Sequence, residues 1–178
     1  DHNNTLDEEL LARRKDREQL QGARHELFTE ATCLRGGFDV KHEDERDRAS
    51  RHVEFVATHR QTGVHLAIEA KSKHRPGVLG RAGTPEPPDQ ANLKFARLIN
   101  DATRKQPDLP LAIFLDTNLP LPSADRFYEP ESRDPFRPSR RLGRLLDLIR
   151  AESGKQIDPY NLIVFTNHPH HYATEDQA

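Results

Sequence analysis

Two acidic residues and a lysine in the middle of the chain have the spacing of a metal-dependent hydrolytic site. Glu69 and Lys71 are two residues apart inside the apolar run of residues 64–73, and Glu54 lies one short hairpin upstream. Two carboxylates that share a site repel each other and need a cation, and their hard oxygens favour Mg²⁺ or Mn²⁺. Such an ion orients a water molecule and lowers its pKa. Lys71 would then position that water or neutralise charge on the phosphate.

These side chains converge only if two strands pair in the right register. Residues 53–59 and 64–72 are predicted strands joined by a tight turn. A two-residue loop would place Glu54 directly opposite Glu69, close enough to share one ion, whereas a three-residue loop would place it opposite Ala70. Glu69 and the lysine two residues later point to the same face because side chains alternate along a strand. A surface ion-pair network explains the same spacing equally well.

The predicted elements run in the order helix, three strands, helix, strand, helix, strand, which indicates an α/β fold with a mixed sheet flanked by helices. The helices are predicted at residues 6–35, 90–105 and 139–152, and the strands at 38–42, 53–59, 64–72, 111–115 and 162–166. The predicted apolar stripe of the first helix comprises Leu20, Ala23, Leu27, Ala31 and Leu34. That of the second helix comprises Ala91, Phe95, Leu98, Ile99 and Ala102.

Length and charge favour one domain with a modest core. The chain has 178 residues, of which 34% are hydrophobic, and a net charge of −2, so any nucleic-acid surface must be local. We predict a domain at residues 20–167, preceded by a charged helical extension at 1–19. A His-rich stretch follows at 168–178. We interpret it as a tail and not as a zinc site, because its histidines lack the spacing of zinc ligands.

The chain carries one cysteine, Cys33, and no long apolar run. One cysteine excludes an internal disulfide and any four-thiolate zinc or iron–sulfur site. No stretch approaches the ~20 apolar residues of a membrane span. We therefore expect a cytoplasmic protein with no membrane partner. The absence of methionine, even at the first position, favours a trimmed chain or a domain of a longer protein, and the charged first helix could serve a homodimer.

Together, these motifs resemble the PD-(D/E)XK nuclease superfamily, especially archaeal Holliday-junction resolvases and type II restriction-like domains. The likeness covers roughly residues 20–118 and centres on the sequence Ile-Glu-Ala-Lys-Ser-Lys at 68–73. In that superfamily a helical glutamate precedes a Gly–aromatic pair by about three turns, as Glu26 precedes Gly37 and Phe38 here. The superfamily's core order, αβββαβ, also matches the predicted elements.

The resemblance implies a restriction-endonuclease-like core and a nuclease, in particular an endonuclease, that hydrolyses DNA phosphodiester bonds. Glu54 and Glu69 would be the ligands of Mg²⁺ or Mn²⁺, Lys71 the catalytic lysine and Glu26 an auxiliary acid. Glu54 departs from the family pattern, in which an aspartate follows a proline. The alternative acids are Glu43, Asp44 and Glu45 for Glu54, and Glu30 for Glu26.

Five residues are candidates for nucleic-acid binding. They are Lys73, Arg75, Arg81, Gln90 and Lys94, in the loop after the lysine strand and on the second helix. The stretch 116–118 after a buried strand is either a ligand site or a strand cap. We expect DNA as the partner, with RNA or a nucleotide as the alternative substrate. The alternative function is a catalytically inactive nuclease-fold module for nucleic-acid binding or assembly.

Overall fold

The computed structural model of the chain is an α/β structure in which helices flank a mixed sheet of five strands. It describes residues 13, 15–16, 18–43, 52–79, 81–85, 95–105, 107–118, 147 and 160–167. The helices are α1 (Leu20–Arg35) and α2 (Ala96–Thr103), and the strands are β1 (Phe38–His42), β2 (Phe55–His59), β3 (His65–Ser72), β4 (Leu111–Asp116) and β5 (Leu162–Thr166). These elements confirm the predicted α/β class.

Three predictions concern residues that are mostly not among the described ones. Most of the extension at 1–19, the third helix at 139–152 apart from residue 147, and the tail at 168–178 lie outside the described residues. Neither described helix has the length and apolar character needed to cross a membrane.

The strands of the sheet are ordered as they are in the chain, from β1 to β5. β1, β2 and β3 pair antiparallel, whereas β3, β4 and β5 pair parallel. β3 is therefore the central strand, with hydrogen-bonded neighbours on both sides. Every residue of β4 is buried, which is typical of a parallel strand covered on both faces.

Apolar side chains fill both faces of the sheet. One face packs against α2, whose Ile99 and Ala102 are fully buried together with the N-cap residue Phe95, as their spacing predicts. The other face packs against α1 and includes Phe55 and Ile68. Because side chains alternate along β3, its residues 67, 69 and 71 face α2, while residues 68, 70 and 72 face α1.

The buried side of α1 is polar, so the predicted apolar stripe of this helix is wrong. Ala23 is the only fully buried member of that stripe, and Ala31 is exposed. The residues buried at four-residue spacing are Gln21, His25, Thr29 and Cys33. The physical reason is that backbone groups lie opposite this side of the helix and need hydrogen-bonding partners. The Nε2 atom of His25, for example, lies 3.1 Å from the carbonyl oxygen of Phe114 in β4.

Gln21 joins α1 to the loop after β3 through three hydrogen bonds and to the end of β4 through a fourth. Its Nε2 donates to the carbonyls of Arg75 and Val78, both at 2.9 Å. Its Oε1 accepts from the backbone N–H of Arg75 and from Nδ2 of Asn118, also at 2.9 Å. One fully buried amide thus fixes the loop that follows the central strand.

We expect Gln21→Ala to lower the free energy of unfolding by on the order of 3 kcal/mol, because it leaves buried backbone groups without partners. Gln19→Ala, which removes an exposed hydrogen bond to Asp16, should cost less than about 1 kcal/mol. Urea denaturation of both variants measures the difference. Equal stability of the two would contradict this role of Gln21.

Candidate active site

The hairpin of β2 and β3 has the register that the two-residue loop predicts. Phe55 lies opposite Ile68, so Glu54 and Glu69 are the next positions on the two strands. The Glu54 N–H donates to the carbonyl of Ile68 at 3.1 Å, so Glu54 and Phe55 both lie opposite Ile68 and the regular pairing ends at Phe55. Oε1 of Glu54 nevertheless lies 3.6 Å from the Lys71 ammonium that also contacts Glu69, so the prediction that Glu54 and Glu69 approach each other across the hairpin is confirmed.

Glu69 occupies the centre of the sheet. It lies on β3, opposite Ile113 of β4, and its side chain is 0% exposed. Apolar residues surround this position along the strand, where the buried run spans residues 67–70. Burial of an ionised carboxylate costs several kcal/mol unless opposite charges and hydrogen bonds compensate. The environment of Glu69 must therefore supply positive charge.

Two lysines supply that charge, and both also face Glu54. The Lys71 ammonium contacts Oε1 of Glu69 and lies 3.6 Å from Oε1 of Glu54. The Lys105 ammonium lies 2.8 Å from Oε1 of Glu69 and 3.9 Å from Oε1 of Glu54. We call these four side chains the acid–lysine cluster. Lys105 follows the end of α2 and was not predicted, because no local spacing links it to the hairpin.

The carboxylate of Glu69 remains poorly compensated despite the lysines. Burial raises its pKa above the ordinary value, Lys71 and Lys105 oppose that increase, and Glu54 adds to it. Oε2 of Glu69 is buried and accepts no hydrogen bond from any of the described residues. The site therefore contains one buried oxygen with unused capacity for a donor or a cation.

Lys71 is a cation at neutral pH. Burial alone would lower its pKa, but attraction by Glu69, Glu54 and, least, Glu26 outweighs burial and raises the pKa above 10.5. The pKa values of Glu69 and Lys71 can both be raised, because Lys71 is less buried than Glu69 and interacts with three acids. An ammonium that holds its proton this firmly stabilises negative charge and does not act as a base.

The auxiliary acid Glu26 and its alternative Glu30 both lie on α1. Glu26 adds to the field at Lys71, and both of its oxygens contact the guanidinium of Arg13, Oε2 at 2.9 Å. Glu30 instead lies 3.4 Å from His42. The position of Glu26 favours it over Glu30 as the acid that supports the cluster.

Glu43 caps the strand edge and is not part of the cluster. Its Oε2 accepts the Val53 N–H at 3.1 Å and lies 3.1 Å from Nδ1 of His52. The other two alternative acids, Asp44 and Glu45, are outside the described residues. Glu54 is therefore the acid that the described hairpin brings to Glu69.

The predicted nucleic-acid contacts are not all at the surface. Arg75 is 1% exposed, and its guanidinium donates to the carbonyl of Thr117 at 3.2 and 3.3 Å, so it joins two loops and presents no charge to solvent. Arg81 is partly exposed and lies 3.4 Å from Glu18. Lys73 is partly exposed at the end of β3. Gln90 and Lys94 lie outside the described residues.

The stretch after β4 is a strand cap. Asn118 Nδ2 donates to Gln21 and to the carbonyl of Lys73 at 3.3 Å, which joins the ends of β3 and β4. Asp116 is fully buried beside Ser72 of β3. Burial raises the pKa of Asp116 to about 7, against the opposing effects of the Asn118 N–H and Arg75.

The donor set fits a divalent ion held by two protein carboxylates. Mg²⁺ is usually bound by one or two carboxylates together with water and substrate phosphates. Glu54 and the unused oxygen of Glu69 match that requirement. The described residues contain no group of three or more His, Cys, Asp or Glu side chains that could hold a metal, so an all-protein cage is not part of this region.

Comparisons with known proteins identify no relative of this chain. No protein-family model, no curated protein and no solved structure matches the chain. A function must therefore be inferred from the chemistry of the acid–lysine cluster.

We expect Glu69→Gln to raise the melting temperature at pH 8 in EDTA. The neutral isostere removes a fully buried carboxylate whose pKa burial raises, against the opposing effect of Lys71 and Lys105. For a chain of this size each kcal/mol corresponds to about 2–4 °C, which differential scanning calorimetry resolves. A melting temperature several degrees below that of the wild type would mean that Glu69 is a stabilising ion-pair partner.

The stability of the protein should also depend on Asp116 through pH. The ordinary pKa of this carboxyl is 3.8 and its folded pKa is about 7, so its contribution is fully present below pH 4 and is lost as pH rises through 7. Asp116→Asn should therefore gain stability relative to wild type between pH 5 and pH 8, by on the order of 2 kcal/mol. Urea denaturation of the wild type and the variant at pH 5 and at pH 8 measures this gain.

Asp39→Asn is the matched control, because it makes the same charge change at an exposed carboxylate. A gain that is equal at pH 5 and pH 8, or equal in the two variants, would show that Asp116 does not titrate in this range.

Proposed function

We propose that the protein is a divalent-metal-dependent nuclease that hydrolyses DNA phosphodiester bonds as an endonuclease. The observation that carries this proposal is the convergence of Glu54, Glu69 and Lys71 across the hairpin, with a buried Glu69 oxygen that has no hydrogen bond among the described residues. Clusters of buried ionisable groups with perturbed pKa values are typical of functional sites.

The arrangement of elements supports the same proposal. From α1 to β4 the order is helix, three strands, helix and strand, with the acid–lysine cluster on the central strand. This is the order of the restriction-endonuclease-like core that the motifs resemble. We propose that the described elements form such a core.

Each member of the cluster has a distinct proposed role. Glu69 and Glu54 hold Mg²⁺ or Mn²⁺, which would supply an activated water and stabilise charge on the phosphoryl oxygens. Lys71 stays protonated and therefore orients the nucleophile or stabilises the charge that develops on the phosphate. Glu26, held by Arg13, helps to keep Lys71 charged.

The basic residues at the end of β3 provide the proposed contact with the nucleic acid. Lys73 and Arg81 retain exposed surface near this end, where they can contact phosphates. Arg75 acts from inside, because its buried guanidinium fixes the loop that carries both residues. DNA is the proposed substrate, and cleavage of RNA is a direct comparison in the same assay.

We expect wild-type protein to cut supercoiled or branched DNA in Mg²⁺ or Mn²⁺ and not in EDTA. Lys71→Ala and Glu69→Gln should each lower the rate by at least about 100-fold, because each removes a charge that acts on the reacting phosphate. Agarose gel electrophoresis of plasmid and synthetic junction substrates measures the rates.

Lys41→Ala is the control, since it removes an exposed lysine from the edge strand β1. Its rate should match that of the wild type. DNA binding that persists in EDTA, with no cleavage of any DNA or RNA by a folded protein, would refute the enzyme and favour a binding module.

A further inference from the structure

Lys105 differs from Lys71 in how its backbone is held. Lys71 belongs to the central strand and its backbone pairs with Leu115 of β4, so the sheet holds its Cα in place. Lys105 lies one residue beyond the C-cap of α2, and its N–H donates to the carbonyl of Ala102 at 3.2 Å. Its ammonium reaches the acids through a flexible four-carbon chain. Lys105 therefore differs from Lys71 in that its backbone, at the end of a helix, is free to move together with its side chain.

The acid–lysine cluster is neutral as it stands, with two carboxylates and two ammonium groups in mutual contact. Glu69 has no exposed surface, whereas both lysines keep about a fifth of theirs. A divalent ion that approached Oε2 of Glu69 and the carboxylate of Glu54 would meet two ammonium groups that contact the neighbouring Oε1 of Glu69 and lie 3.6 and 3.9 Å from Oε1 of Glu54. Charges of equal sign at such a distance repel each other unless one of them moves.

We propose that Lys105 is an internal counter-ion of Glu54 and Glu69. Its ammonium lies beside the carboxylates that would hold a divalent ion, and it is displaced when such an ion binds. This inference rests on the proposed function, in which these two acids hold the ion. Lys105 is then a positioning residue: it neutralises the buried acids in the absence of metal and lowers the apparent metal affinity. Lys71 remains in place in both states.

The affinity for Mn²⁺ tests this inference directly. Electron paramagnetic resonance of free Mn²⁺ gives the Kd for wild type, Lys105→Gln and Lys105→Arg. We expect Lys105→Gln to bind Mn²⁺ about tenfold more tightly, because one competing charge is gone. Lys105→Arg keeps the charge and should stay within about threefold of wild type.

Arg104→Gln is the matched control for net charge. This side chain lies next to Lys105 in the chain but is 72% exposed and pairs with Asp101 at 3.4 Å. It should leave the Kd unchanged. A Lys105→Gln variant with unchanged or weaker Mn²⁺ binding would overturn the displacement of Lys105.

Glu69→Gln separates failure of the inference from failure of the proposed function. If wild type binds Mn²⁺ and Glu69→Gln does not, the site is correct and Lys105→Gln decides the inference alone. If Glu69→Gln binds as tightly as wild type, or neither wild type nor Lys105→Gln binds, the proposed metal site fails and the inference fails with it. Binding by Lys105→Gln but not by wild type supports both.

A measurement on the wild-type chain covers the case in which Lys105→Gln does not fold. Acetylation by an amine-reactive reagent, read by peptide mass spectrometry, reports how accessible each lysine is. Labelling of Lys105 should rise several-fold on addition of Mg²⁺, while labelling of Lys71 stays low. Labelling of Lys105 that does not change with Mg²⁺ would overturn the inference.

Discussion

Glu69 places a carboxylate in the middle of the central strand, and the fold must compensate that buried charge. The side chain has no contact with solvent, and hydrogen-bonded strands lie on both sides of it. Lys71 from the same strand and Lys105 from the end of α2 provide the nearest positive charge. Even so, burial keeps the pKa of Glu69 raised against the effect of both lysines. A site that costs stability in this way is typical of a functional centre.

The sheet positions Glu54, Glu69 and Lys71, and the two helices bring further charged residues to them. The antiparallel hairpin brings Glu54 to Glu69, and alternation along β3 turns Lys71 to the same face. α2 brings Lys105 to this face, and α1 carries Glu26, whose charge also acts on Lys71. The same fold thus explains why Lys71 remains protonated and why it is suited to electrostatic stabilisation.

Local sequence pattern predicted the hairpin and limited its register to two alternatives. The structure has the register of the two-residue loop, with a tight turn that includes Gly63, whose φ of +70° favours glycine. The apolar face of α2 also follows from spacing, because its partners are apolar. Prediction failed for α1, where burial of Gln21 and His25 depends on backbone groups that are distant in the chain. It failed for Arg75 for the same reason, since a basic residue in a loop rich in Pro and Gly resembles a surface residue until its partner Thr117 is known.

The position of Lys105 shows more clearly what residue spacing in the sequence cannot predict. Its contact with Glu69 requires α2 to end beside the central strand, which only the packing of that helix determines. The nuclease proposal and the role of Lys105 both depend on whether the two acids bind one divalent ion. A crystal structure of the wild-type protein grown with Mn²⁺, with anomalous diffraction data at the manganese absorption edge, tests that most directly. The account predicts an anomalous peak between the carboxylates of Glu54 and Glu69, with the Lys105 ammonium withdrawn from both. The absence of a peak there, with both lysines still in contact with Glu69, would contradict it.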